Sequence, residues 1–128
     1  MLANSAKSAS AVHLLMPGAK ADTAAATSGG ISVTAYEGDL MITQYVGVVT
    51  AGQVAGKIQV CDDAAGSNPV DVSGATFTAV TTSNDNPNIQ KITIDANSLA
   101  KPFIRYLGTV TTGPVDMAVT LHSRPKYL

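Results

Sequence analysis

Residues 57–80 read KIQVCDDAAGSNPVDVSGATFTAV, and their pattern decides the fold class. Ile58 and Val60 alternate with Lys57, Gln59 and Cys61. Side chains of an extended chain point to opposite faces with a period of two, so this alternation predicts a half-buried strand. Asp62 to Pro69 is a dense run of turn residues. Asp and Asn bond back to their own backbone, Gly66 accepts positive φ, and Pro69 withdraws an amide from any ladder. A second turn is expected at Ser73-Gly74, followed by another alternating strand from Ala75 to Val80. The unit is strand, acidic turn, short edge segment, turn, strand. It carries no evident catalytic constellation.

Working outward toward the N-terminus, Ala51-Gly52-Gln53 is a turn, and Leu40 to Thr50 is the longest β run. Leu40, Ile42, Val46 and Val48 share one parity, Met41, Tyr45 and Val49 the other. Apolar residues on both parities predict a strand covered on both faces over part of its length. Gly47 within it marks a bulge or a close backbone approach. Glu37-Gly38-Asp39 reads as a turn and Ile31 to Tyr36 as a strand. Ala19 to Gly30 is read as extended, and Ala11 to Met16 as a first strand ended by Pro17-Gly18. Met1 to Ser10 is small and polar and is expected to be a loose arm, ordered when a neighbour holds it.

Toward the C-terminus, Thr81 to Asn88 reads TTSNDNPN, a long exposed loop. Strands are expected from Ile89 to Asp95, Phe103 to Thr112 and Val115 to His122, with a corner at 96–101 and a tight connection at Gly113-Pro114. In the last two, Ile104, Tyr106 and Val110 face one way, as do Val115, Met117, Val119 and Leu121. Seven or eight short strands separated by turn signals every 8–12 residues or so predict an all-β, antiparallel β-sandwich. Alternation leaves the choice between jelly-roll and immunoglobulin-like topology open, because it does not say which strands pair.

Composition narrows the function. The 128 residues carry a formal net charge of −1, and their eight Lys and Arg are scattered, so no basic stripe for nucleic-acid phosphates is present. Charged residues make up 13%, about half the usual quarter, which favours close packing against neighbours because few charges must be desolvated. No run reaches the roughly 18 apolar residues of a membrane span, and residues 11–16 make a poor signal peptide. Neither nucleic acid nor membrane is expected as a partner. The single cysteine, Cys61, excludes an intrachain disulfide and reads as a buried structural thiol.

Candidate chemistry is sparse. His13 and His122 share a metal only if the first and last strands pair. Asp62, Asp63 and Asp71 lack the regular ligand spacing and bidentate Glu of a calcium loop, and Asp85 with Asn84, Asn86 and Asn88 is discounted for the same reason. Ser67, Ser73 and Ser98 have no nucleophile elbow. Glu37 is the only Glu and Trp is absent, which argues against glycoside cleavage and an aromatic sugar platform. Phosphate-cradling glycine motifs are missing. The expectation is a protein that is not an enzyme and uses no cofactor and no metal.

Several segments carry a resemblance. Gly38-Asp39-Leu40, the run KIQVCDDAAGSNPVDVSGATFTAVT, residues 88–92 NIQKI, residues 101–106 KPFIRY and residues 122–127 HSRPKY resemble capsid decoration, or cement, proteins of tailed bacteriophages and prophages. The resemblance covers about Ile31 to Tyr127. Members often carry an aromatic residue before the DVSGATF-like segment, where this chain has Asn68-Pro69-Val70. The resemblance implies a jelly-roll-like sandwich over residues 23–128, preceded by an arm and first strand over 1–22. It also implies a homotrimer on the outer capsid surface that bridges major capsid subunits. Met1, Leu2, Lys7, Arg124 and Lys126 are the candidate capsid contacts, and Met41, Tyr45 and Val49 the candidate trimer contacts. A head–tail connector or tail component, and a small ligand- or glycan-binding sandwich, are the alternatives.

Overall fold

A computed structural model describes residues 10–20, 25–27, 29–84, 88–112 and 114–125. It is almost entirely β, in two packed antiparallel sheets. The strands are β1 (Ser10–Lys20), β2 (Ala25–Thr27), β3 (Ile31–Ser32), β4 (Tyr36–Val46), β5 (Gln53–Cys61), β6 (Val70–Thr76), β7 (Val80–Thr81), β8 (Asn88–Asp95), β9 (Phe103–Thr111) and β10 (Val115–Pro125). One 3-10 turn, Ala96–Ser98, lies between β8 and β9 and is capped by the Asp95 carboxylate, which accepts from the Asn97 amide.

Sheet A has the order β1-β10-β4-β8, and sheet B the order β2-β9-β5-β6, with β3 also on β9 and β7 also on β5. The pairings nest: first strand with last, β2 and β3 with β9, β4 with β8, and β5 with β6 and β7. Such nesting is what results when one long antiparallel ribbon, turned at the Asp62–Pro69 loop, is rolled so that successive segments fall alternately in the two sheets. This is a jelly roll. The acidic turn read from residues 62–69 is thus the hairpin end of the ribbon, and its strand β5 is central in sheet B.

The core fills the space between the sheets. Leu40, Ile42 and Val46 of β4, with Val115, Met117, Val119 and Leu121 of β10, face Val54, Ile58 and Val60 of β5 and Ile104, Tyr106 and Val110 of β9. Each set keeps one parity, as alternation requires.

Boundaries differ from the sequence reading at several places. The strand expected from Ile31 to Tyr36 is only Ile31–Ser32, and the last strand runs past His122 to Pro125, opposite Tyr36, because an edge position of the ladder needs no amide from proline. Glu37-Gly38-Asp39 is not a turn but lies inside β4, where Gly38 takes φ 71° at a register shift against β10. The first strand does not stop at Pro17-Gly18. It continues to Lys20 through two register shifts, and as an edge strand it loses little from a missing amide. Ser73-Gly74 is a bulge within β6, with Gly74 at φ 77°, and the expected strand from Ala75 to Val80 shrinks to Val80–Thr81. The longest run ends at Val46 rather than Thr50: the Gly47 amide makes one more bond to the β10 side, to the Asp116 carbonyl at 2.8 Å and in register, and the chain then leaves the sheet. That departure reverses the alternation: Val48 is 53% exposed and Val49 is buried in the core.

A polar clasp joins the sheets at their centre. Gly56 of β5 and Gly108 of β9 are directly paired, both at inward positions. The ring of Tyr106 lies back over this pair, and its hydroxyl donates to Gln44 Oε1 on the opposite sheet. Both side chains are fully buried. Covering bare strand glycines with a neighbouring aromatic ring restores packing that the missing side chains would otherwise leave undone. Burial pushes the Tyr106 phenol well above its ordinary pKa, so it is a protonated donor at neutral pH.

Candidate interaction surface

The 62–69 loop is held by its own side chains and by β9. Asp63 Oδ1 accepts from the amides of Ala65 at 3.0 Å and Ser67 at 3.1 Å. Asp62 accepts from Asn68 Nδ2 at 2.7 Å and pairs with Lys101 at 3.0 Å. Lys101 also donates to the Asn68 carbonyl at 2.7 Å, and Asn68 itself takes the left-handed φ of 50°. From the other side, the Gly30 amide donates to the Ala64 carbonyl at 2.9 Å. Asp71, on the strand that follows, accepts from Lys57 at 3.0 Å and Gln59 at 2.8 Å. Asp62, Asp63 and Asp71, weighed above as calcium ligands, therefore each serve protein donors, and Asp85 lies outside the described residues. Cys61 is buried beneath the loop, and desolvation pushes its thiol pKa up despite nearby Arg105.

These bonds carry a pH dependence. Hydrogen bonds from Asn68 and Lys101 lower the Asp62 pKa, the Ser67 amide lowers that of Asp63, and Gln59 with Lys57 lowers that of Asp71. Each folded-state value lies below the ordinary value of 3.8, so the stabilisation is fully present above about pH 4 and is lost as pH falls through the lowered values. Melting temperatures are expected to fall modestly as pH drops from about 4 to 2, since all three carboxylates face solvent. Asp62→Asn should flatten part of that drop; an unchanged profile would remove Asp62 from this account.

At the other rim, a net of amide side chains closes the β7–β8 connection. Gln90 accepts from the Thr78 amide and donates to the Thr78 carbonyl, both at 2.8 Å, so its side chain pairs with a backbone unit as a neighbouring strand would. Asn84 accepts from the Thr81 amide at 2.7 Å and donates to the Ala79 carbonyl at 3.0 Å. Gln90 thus ties edge strand β8 of sheet A to sheet B. Gln90→Ala is expected to lower stability by about 1–3 kcal/mol in urea unfolding, since it strands both Thr78 groups. A loss under 0.5 kcal/mol or so would mean that water replaces the side chain.

The face of sheet A turned away from the core carries two exposed large apolar side chains next to each other. Tyr45 of β4 lies directly between Ile89 of β8 and Ala118 of β10, and Tyr45 and Ile89 are 38% and 58% exposed. Met41, further along the same face, lies between Thr93 and His122 and is half-buried. Two of the three candidate trimer contacts, Met41 and Tyr45, therefore share this face. Val49 does not: it is 2% exposed and packs in the core, so it is withdrawn as a surface contact. Sequence reasoning missed Ile89 and Ala118, which only the β4–β8 and β4–β10 registers bring beside Tyr45.

Of the candidate capsid contacts, Arg124 is exposed near the end of β10, opposite Glu37. Met1, Leu2, Lys7 and Lys126 lie outside the described residues. The first and last strands do pair, which was the condition for a His13–His122 site, with His13 opposite Thr120 and His122 opposite Ala11. Among the described residues no group of three His, Cys, Asp or Glu side chains is placed to hold a metal. Two shallow grooves, about 370 and 270 Å³, flank the corner at Leu99-Ala100. Their only charged linings, Lys101 and Asp71, are already paired. Among the described residues no helix is long and apolar enough to cross a membrane.

No family model and no curated protein matches this sequence. Among solved structures, the chain is similar to a protein of the T13 IBDV viral particle, with a TM-score of 0.54 and 10% identity. That likeness takes in 91% of this chain and 31% of the viral protein, so this chain spans about a third of that protein's length. A second similar structure belongs to Bacillus endospore appendages, described as disulfide-linked pili, with 16% identity, a TM-score of 0.46 and coverage of 92% and 88%. At 10% identity the likeness to the viral-particle protein is one of fold.

Proposed function

We propose that this chain is a bacteriophage capsid decoration protein that binds the outer surface of the head as a homotrimer and bridges major capsid subunits. The observation that carries the reading is the outer face of sheet A, where the exposed Tyr45 and Ile89 stand side by side, with the half-buried Ala118 on the other flank of Tyr45. Contiguous exposed apolar side chains on a small protein mark places where something docks. The jelly-roll fold, shared with part of a viral-particle protein, and the resemblance over residues 31–127 support the same reading. Three copies fixed on one rigid body would hold to the capsid far longer than one, because each bound copy keeps the others near their sites. The role is mechanical: contacts that span a subunit boundary oppose its opening under the pressure of packaged DNA.

Two measurements test it. Light scattering after size-exclusion chromatography at low concentration should give three times the 13.0 kDa chain mass, and Tyr45→Lys should abolish that trimer. A monomer at high concentration for the native sequence would remove the solution trimer. Heads assembled from the major capsid protein of the same genome should bind the chain over their whole surface and release DNA at a higher temperature when coated. Label confined to a vertex or tail would overturn decoration in favour of a connector or tail role.

A further inference from the structure

Strand β8 closes one side of sheet A, pairing with β4 and with no further strand among the described residues. Among the described residues none of the turn and loop backbone bonds reaches residues 88–95, so no described segment takes the ladder groups on its far side. Its inner side is closed off by the Gln90 amide on Thr78, but that contact uses the side chain and leaves the edge itself available. An open edge of eight residues is a template for another strand.

The charges on this edge are unbalanced. Asp95 lies directly opposite Asp39 of β4, both exposed, and like charges facing each other across a ladder are destabilising. The ion pairs among the described residues, Lys57–Asp71 and Lys101–Asp62, lie elsewhere. Lys91, four residues before Asp95 on the same face, has no anion either. These two are the only charged residues of β8.

We propose that β8 docks against β8 of a second copy of this chain, antiparallel, about a twofold axis at Thr93. That register sets Lys91 of each copy opposite Asp95 of the other and brings a cation to each Asp39–Asp95 pair. It stacks Thr93 on Thr93 and, on the inner face, Ile92 against Ile94. Placing the axis at Ile92 faces Lys91 with Thr93, and placing it at Lys91 faces two lysines; only the Thr93 axis joins opposite charges. The contact is isologous and closed, so it makes pairs and not fibres. It goes beyond the proposed threefold contact because it uses the strand edge, not the sheet face, and it would join one trimer to the next.

The test is sedimentation velocity over a concentration series, in low and high salt, with circular dichroism to check the fold. To isolate the edge, every chain carries Tyr45→Lys. The parent should dimerise reversibly and more weakly in high salt, since exposed ion pairs are screened. Lys91→Asp should weaken dimerisation by about tenfold or more, because two attractive pairs become repulsive. Asp95→Lys should do the same. An equimolar mixture of the two single variants should associate, and the double variant K91D/D95K should dimerise like the parent. If D95K loses its fold through its role as the cap of the 3-10 turn, the salt dependence and the K91D loss decide alone. A parent that stays monomeric, or a K91D chain that dimerises as well as the parent, would overturn the proposal and leave Lys91 as a charge that blocks the edge. Loss of the trimer with Tyr45→Lys while the K91D effect persists keeps the two contacts distinct.

Discussion

Gly56→Ala is expected to lower the stability of this chain by about 3 kcal/mol or more, a large part of what a domain of this size possesses. A methyl group added there would run into the Tyr106 hydroxyl and Gln44 Oε1 and come within 2.8 Å of the Tyr106 ring. None of these can yield easily, because Tyr106 and Gln44 are fully buried and hydrogen-bonded to each other between the sheets. The ring would have to leave its place, breaking the clasp and stranding two polar groups in the core. Urea unfolding of the variant reads the loss directly. The control is its coupling to Tyr106: in the background of Tyr106→Leu, where the ring and hydroxyl are gone, Gly56→Ala should cost much less. Additive losses in the double variant would show that the ring does not set the limit at Gly56.

Tyr106→Ala is expected to cost about 3–5 kcal/mol, the range for deleting a buried aromatic side chain. It removes the ring that covers Gly56 and Gly108, the tilted contact to Phe77 at 6.1 Å, and the donor to Gln44. Tyr106→Phe separates the two contributions. It keeps the ring over the glycines and deletes only the hydroxyl, leaving Gln44 Oε1 short of its donor in the core, and should cost about 1–3 kcal/mol. A Phe variant as unstable as the Ala variant would assign the whole effect to the hydrogen bond. One as stable as the native chain would mean that Gln44 finds another donor. Neither change touches the outer face of sheet A, so trimer formation should survive in whatever fraction remains folded.

Much of the fold was legible in the sequence, for a local reason. A strand with one buried face writes its burial into alternate residues. Val115, Met117, Val119 and Leu121, and Ile104, Tyr106 and Val110, were thus assigned to one face before any neighbour was known, and all seven are buried in the core. The acidic run from Asp62 to Pro69 announced a turn through residues whose side chains bond to their own backbone, and Asp63 does so twice. Alternation fails where a local departure shifts its phase. The chain leaves the sheet after Gly47, and one residue of slip beyond it sends Val49 to the core and Val48 to solvent.

Pairing belongs to the tertiary structure alone. Two strands meet because the whole ribbon rolls up, so the meeting of Ser10–Lys20 with Val115–Pro125 has no signature in either segment. The same holds for the clasp: Gly56 and Gly108 look like two strand-weakening glycines until the β5–β9 register sets them side by side beneath Tyr106. The interaction surface shows the division most clearly. Residue order placed Met41 and Tyr45 on one face of a strand, because side-chain direction is a property of the backbone next to them. Only the register of three strands decided that Tyr45 stands between Ile89 and Ala118, because proximity across a sheet is set by hydrogen bonds between segments far apart in the chain.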